Sequence, residues 1–411
     1  MTYSSAIIIT TAVVALVWLL SPQIRKSSNW NATITPLASI IGSGFLVAAP
    51  LVAVIVGKLA PLAMFAIVLL AYGIGGIIRF NIRNLEPLLR DPATLPKGIY
   101  FFERASGLAL SVAYVVSVAF YLRLLSSFVL SSISADTALY ANILTTGILL
   151  FIGITGYLYG LHTLERLEKY SVTIKLAIIA SLILALGMFD VYSLDQVFSN
   201  EIPKEDHSTF YKLRQLAGLL LIVQGFETSR YLGSEYDPDV RIKTMRQAQI
   251  VAGIIYVAFV LLSLPILTHL ENSSPNETAI IELAGHINPI LPGMLIMAAV
   301  MSQFSAAVAD TVGGGGLLAE TTGDRLSTRR SYLVITAAAI GLVWCADIFQ
   351  IISIASRGFA FYYLLQSINA WRTACQCIRG WRGRLEMLRF GGLILILTFI
   401  VIFGISADGN G

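Results

Sequence analysis

Apolar runs about twenty residues long recur along almost the whole chain, at about 5–20, 34–57, 61–80, 105–132, 140–160, 170–189, 211–235, 247–269, 290–319, 331–346, 348–370 and 390–406. A helix needs ~20 such residues to cross the ~30 Å apolar layer of a bilayer. Twelve crossings therefore account for most of the 411 residues and leave only short connections. Composition agrees: 56% of residues are hydrophobic and 13% charged, with a mean hydropathy of +0.77. Soluble domains carry about 25% charged residues. A soluble enzyme, a nucleic-acid binder and a disordered chain are excluded, and the sequence predicts an all-α polytopic membrane protein.

Charge placement predicts orientation. Loops after the odd-numbered helices hold nineteen Lys and Arg, among them Arg25, Arg83, Arg241, Arg329 and Arg384, whereas the opposite loops hold only Lys58 and Lys204. Basic loops stay cytoplasmic, so both termini are expected outside, in a bacterial inner membrane. Met1 to Ser5 has no basic residue, so the first run reads as a retained helix, not a cleaved signal. Three cysteines, Cys345, Cys375 and Cys377, form no disulfide framework. The four histidines are dispersed and no nucleophile motif stands out, so no catalytic residue, cofactor or metal site is expected. Sequons at Asn272 and Asn276 carry little weight at three residues each. Trp371 to Arg389, rich in Arg, is expected to lie on anionic lipid.

Setting aside the first and last helices leaves ten, which align as five plus five. The second helix is interrupted by Gly42-Ser43-Gly44 and the seventh by Gly225-Phe226-Glu227. Later helix starts, 61 and 247, 105 and 290, 140 and 331, 170 and 348, keep a similar offset of roughly 185 residues. An odd number of helices per repeat inverts the second half, and paired broken helices in inverted halves point to a transporter's binding site. Unwound backbone at membrane depth survives only where a cavity, solute or ion supplies partners. Half-helix N-termini offer donors to a carboxylate. A lone Gly-Ser-Gly is more often helix-packing glue; the matched second break reverses that preference. The expected layout is an extra helix and loop at 1–33, repeats at 34–189 and 211–370, an outer loop at 190–210, and a basic segment with a last helix at 371–411.

Ile41-Gly42-Ser43-Gly44-Phe45 resembles the IGSGIF motif of the amino acid–polyamine–organocation (APC) transporter superfamily. Gly225-Phe226-Glu227 is similar to its GFE motif, and Ile174-Lys175-Leu176 to its membrane-embedded lysine. A Gly-rich eighth repeat helix ending near Thr322-Gly323-Asp324 also fits, so the resemblance covers about 34–370. It implies substrate binding by Ile41, Gly42, Ser43, Gly44, Gly225, Phe226 and Glu227. It also implies that Lys175 projects to where sodium-coupled relatives hold sodium, between the first and eighth repeat helices. Two departures stand out. An amphipathic helix at 5–20 precedes the broken one, and Leu221 stands where basic-amino-acid antiporters place a Trp gate.

Ionisable groups at mid-membrane are costly and usually functional. Lys175 is read as a coupling group that exchanges a proton, against a structural lysine or one that snorkels. Glu227 is read as an amine ligand or proton carrier, against a brace on the helix break. Arg123, Arg357 and Asp310 are further buried candidates, the two arginines as salt bridges and Asp310 as a partner for Lys175. Arg230 is expected to snorkel from a helix end. The run Gly313 to Gly316 is expected to pack closely on a neighbour. Tyr114, Phe120, Tyr121 and Tyr231 are candidate pocket walls.

The expectation is therefore a secondary active transporter for an amino acid or related small amine-bearing solute. It works by alternating access, proton-coupled or exchanging, sodium-independent, with no enzyme activity and no nucleic-acid partner. Two alternatives stay open. One is a sodium-coupled carrier of another metabolite, using Ser302, Ser305 and Asp310; the other is a non-transporting receptor or scaffold on the same fold.

Overall fold

A computed structural model describes residues 3–407 apart from 43, 90–96, 134, 136, 200, 201, 205, 234, 271–276, 324, 378 and 379. Ser43 and the asparagines of both sequons thus lie outside the described residues. The first helices are α1 (Tyr3–Leu19), the short α2 (Pro22–Arg25), and the two halves of a broken span, α3 (Ser28–Gly42) and α4 (Phe45–Val56). Then come α5 (Ala60–Asn84), the short α6 (Glu86–Leu89), α7 (Lys97–Ser131), α8 (Ala138–Tyr159) and α9 (His162–Ser199). The second broken span comprises α10 (Thr209–Ala217) and two 3-10 segments, Leu220–Val223 and Phe226–Tyr231. It leads into α11 (Pro238–Leu262), the short α12 (Leu264–Leu267) and α13 (Ala279–Ile287). The chain ends with α14 (Leu291–Thr321), α15 (Thr328–Cys345), α16 (Ile348–Cys377) and α17 (Trp381–Phe403). No strand occurs among the described residues.

Eight helical stretches among the described residues are long and apolar enough to cross a membrane. The other four expected spans fall short for visible reasons. The span at α1 is 17 residues long, the two broken spans have no continuous helix, and α15 opens on Arg329 and Arg330. Helix starts follow local chemistry: Thr137, Ser208 and Ser327 cap α8, α10 and α15, and Pro occupies the first turn of α5, α11 and α14.

Three expectations are corrected here. Basic residues placed in loops, such as Arg83, Arg241, Arg329 and Arg384, lie inside helices. An apolar run measures the hydrocarbon layer, whereas the helix continues through the headgroups. For the same reason α9 runs on to Ser199, where a loop from 190 was expected. Finally, α1 is apolar on all sides, not amphipathic: Ile8 and Leu19 are buried, while Val13, Val14, Val17 and Trp18 are exposed.

The helices pack as a five-plus-five fold. Each of α5, α7 and α8 lies against its counterpart, α11, α14 and α15 respectively. The cross pairs also match, α9 packing on α14 as α16 packs on α7. The extra helices sit outside this core, α1 on α9 and α17 on α16. Ser5 at the start of α1 is tied to Asn288, just ahead of α14, which donates to it at 2.9 Å. Arg25, past the other end of α1, lies over the Tyr170 ring of α9 at 5.5 Å.

The glycine run behaves as close packing. Tyr114 of α7 packs on Gly313 and Gly314, and Tyr332 of α15 on Gly315. A Cβ at Gly315 would run into the Tyr332 ring, whereas one at Gly316 meets nothing within 4 Å. Gly315→Ala should therefore lower the apparent unfolding temperature in detergent, by the equivalent of about 1–3 kcal/mol. Gly316→Ala should leave it unchanged or raise it. Equal effects would show that the Tyr332 contact does not set the α14–α15 spacing.

Candidate functional site at the crossed helix breaks

The two interruptions meet. Gly225 has φ 115° and Gly44 φ 149°, conformations that favour glycine. A Cβ added at Gly225 would lie 2.6 Å from the Ser39 carbonyl carbon and 2.7 Å from the Ile40 nitrogen. One added at Gly44 would lie 3.4 Å from the Ile222 Cα. Each unwound segment thus lies against the other span; at Gly225 backbone leaves no room for a side chain, and at Gly44 the positive φ is what disfavours one.

Polar groups freed by the breaks find specific partners. The Tyr256 hydroxyl of α11 stands between the carbonyls of Ile40 and Ile222, at 2.9 and 2.6 Å, joining the two broken spans. The Leu221 N–H donates to Ser356 Oγ of α16 at 2.8 Å. The Gln224 side-chain amide donates to the Tyr121 hydroxyl at 2.9 Å. The Gly225 N–H donates to Glu227 Oε2 at 2.9 Å, and the Tyr363 hydroxyl of α16 donates to the same oxygen at 2.6 Å.

Glu227 therefore does brace the break, but with one oxygen only. Its Oε1 is buried and has no hydrogen-bond partner among the described residues. Phe226 stacks on Tyr363, ring centroids 5.2 Å apart at 15°. Phe226, Glu227 and Tyr363 are each 0–1% exposed, so the site is occluded. Tyr114 and Tyr121 lie within electrostatic reach of both Glu227 and Asp310, so two buried carboxylates face one group of aromatic rings.

Lys175, 2% exposed, donates to the Ala38 carbonyl at 2.9 Å and to Ser302 Oγ at 3.1 Å. Gly42 of α3 also borders it; a Cβ there would lie 3.6 Å from Nζ. The ammonium thus stands at the carbonyl end of a half-helix, where the helix dipole favours a cation. Ile41, Lys175, Ser302 and Gln303 border a cavity of roughly one water.

The remaining candidates separate. Asp310 accepts a short hydrogen bond from Ser117 of α7. Ser305 donates to the Ser302 carbonyl at 3.1 Å. Arg123 is buried and donates to Ser127 Oγ at 2.6 Å, which in turn donates to Glu277 at 3.1 Å. Arg357 is corrected: it is exposed and donates to the Val401 carbonyl of α17 at 2.8 Å, away from Glu227. Arg230 is also corrected: it does not snorkel. It is buried and paired with Glu103 at 2.8 Å, beside an Arg241–Glu86 pair at 2.6 Å. Tyr256 and Tyr363 were missed by the sequence reading. Their only signal is a tyrosine inside an apolar span, shared by several others.

A family model described as an APC superfamily transporter matches residues 22–404. The chain belongs to that family. The match includes both broken spans, Lys175 and the last helix, and begins after α1. A protein of Aquifex aeolicus (strain VF5), described as uncharacterized, is 46% identical over 410 residues, 99% of this chain and 98% of that one. This APC-family chain is thus similar to that protein from end to end.

Tyr256→Phe removes a hydroxyl that joins the Ile40 and Ile222 carbonyls. It should cost about 1–3 kcal/mol of stability, and Gly225→Ala should cost more, because backbone, not a movable side chain, blocks the new methyl. Thermal unfolding of both variants checks this; a Gly225→Ala protein as stable as wild type would refute the crossing.

Proposed function

We propose that this transporter carries an amino acid or related small amine-bearing solute by alternating access, coupled to protons or to exchange and independent of sodium. The observation that carries the reading is the Lys175 ammonium held between the Ala38 carbonyl and Ser302 Oγ. A tethered cation there fills the position a coupling ion would take between α3 and α14. The free Glu227 Oε1 supports an amine contact, and the uncapped N-terminus of α4 supports a carboxylate contact beside Gly42 and Gly44. Phe226 would wall the solute. Ser43 belongs to the proposed site by its position in the motif. We place the chain in a bacterial inner membrane with both termini outward, as the basic ends of its helices suggest.

The geometry favours this over the sodium-coupled reading. Ser302 Oγ is engaged by Lys175, and Asp310 is held by Ser117. Eight residues separate Ser302 from Asp310 on α14, about 12 Å along the axis, too far for one ion to bind both.

A thermal-stability screen of the purified protein against amino acids, amines and other metabolites, with and without sodium, tests the reading. A ligand at 100 times its Kd adds ~2.7 kcal/mol. Stabilisation by an amino acid irrespective of sodium, followed by pH-driven uptake into liposomes that Lys175→Ala uncouples, is the expected result. Stabilisation only with sodium would overturn the lysine-coupled mechanism, and ligand binding without flux would favour the receptor reading. Glu227→Gln should weaken amine binding by roughly tenfold or more, the scale of one charged hydrogen bond.

A further inference from the structure

Arg79 of α5 is 7% exposed yet has no acidic partner among the described residues. It donates to Gln249 Oε1 of α11 in a short hydrogen bond and to the Tyr72 carbonyl at 3.2 Å. Its guanidinium folds back over the Tyr72 ring at 4.8 Å. Two further guanidinium groups converge on it. Arg389 of α17 donates to the Gly73 carbonyl at 3.3 Å and lies against Gly76, one turn from Arg79. Arg246, one turn before Gln249 on α11, acts on Arg79 as a like charge, as does Arg389. Arg246 makes no hydrogen bond or ion pair among the described residues. The acid that pairs with this cluster is Glu386, 3.5 Å from Arg389.

Three arginines against one glutamate among the described residues, at the edge of the apolar layer, is an arrangement that repels itself, and the buried Arg79 is poorly solvated. It becomes favourable when an anion occupies the groove between α5, α11 and α17. Planar guanidinium groups match phosphate oxygens in particular. The walls of the groove indicate where that phosphate comes from. Ile250 and Ile254 continue the Arg246 face of α11 and are 46% and 65% exposed. Such a wall suits acyl chains and is costly beside a hydrated soluble anion.

We propose that Arg79, Arg246 and Arg389 form a binding site for the phosphate headgroup of an anionic membrane lipid, seated between α5, α11 and α17 with its chains along Ile250 and Ile254. The site stands apart from the crossed breaks and does not depend on the solute proposed there. Basic pockets between membrane helices are recognised headgroup sites.

The test is retention of phosphatidylglycerol by the full-length protein, measured by native mass spectrometry after exchange into mixed phosphatidylglycerol and phosphatidylcholine micelles. Arg246→Gln/Arg389→Gln leaves the buried Arg79 in place and removes two exposed charges. It should weaken phosphatidylglycerol binding roughly 30-fold, the product of two surface-lipid contacts. Arg329→Gln/Arg330→Gln, the same charge change at the start of α15, should weaken it little. Equal losses in the two double variants would reduce the effect to general charge and overturn the site. Displacement of the lipid by millimolar inorganic phosphate would assign the groove to a soluble anion and overturn the lipid source. Wild-type protein that shows no preference for phosphatidylglycerol over phosphatidylcholine would overturn both.

Discussion

The fold depends on two helices being broken at one place and pressed together there. A single unwound segment in a bilayer would expose donors and acceptors with nothing to meet them. Crossing two such segments lets the Gly225 turn lie on the Ser39–Ile40 backbone and Gly44 on Ile222, while Tyr256 reaches carbonyls of both. The other helices serve this contact. The Ser356 hydroxyl of α16 and the Tyr121 hydroxyl of α7 take up polar groups of the second break, and Tyr363 steadies Glu227. The contact is unforgiving at Gly225, where the obstacle is backbone, and at Gly44 the positive φ adds strain to any side chain.

Buried charge is arranged in layers around that crossing. Toward the end that holds α13, Arg123 reaches Glu277 through Ser127. At mid-depth stand Lys175, Glu227 and Asp310. At the other end, Arg230 and Arg241 join the second broken span and α11 to Glu103 of α7 and Glu86 of α6. Gln366 of α16 accepts from Arg230 and from Asn81 of α5, drawing two more helices into the same network. Alternating access as proposed requires these helices to part at that end, so the Arg230–Glu103 and Arg241–Glu86 pairs must separate or move together.

Sequence carried the architecture further than the site. Spans were legible because a bilayer imposes a length, and the breaks because glycine has few other reasons to interrupt an apolar helix in two matching places. Lys175 was legible as a lone ammonium in an apolar run. Helix ends were not, because polarity marks the edge of the hydrocarbon and not the end of the hydrogen-bonded helix. Arg230 was misread from its distance to a predicted boundary; the chain there is a 3-10 segment, which changes which side chains face inward. Arg357 shows the same limit in reverse, since a central position in a span does not say which face it occupies, and it lies exposed beside α17. Tyr256 reaches Ile40 and Tyr363 reaches Glu227, each more than a hundred residues away in sequence.

The position of Lys175 bears directly on coupling. The last turn of α3 presents carbonyls, Ala38 among them, and the negative end of a half-helix toward Lys175. That field needs a cation. A diffusible ion can satisfy it and leave; a lysine satisfies it while remaining covalently attached. Any exchange of charge at this position must then occur by the lysine moving or by a proton moving on and off its nitrogen. A sodium ion would first have to displace the ammonium from both Ala38 and Ser302. In the proposed mechanism, the carbonyl end that makes the broken helix workable in the membrane is therefore also what disfavours sodium as the coupling ion.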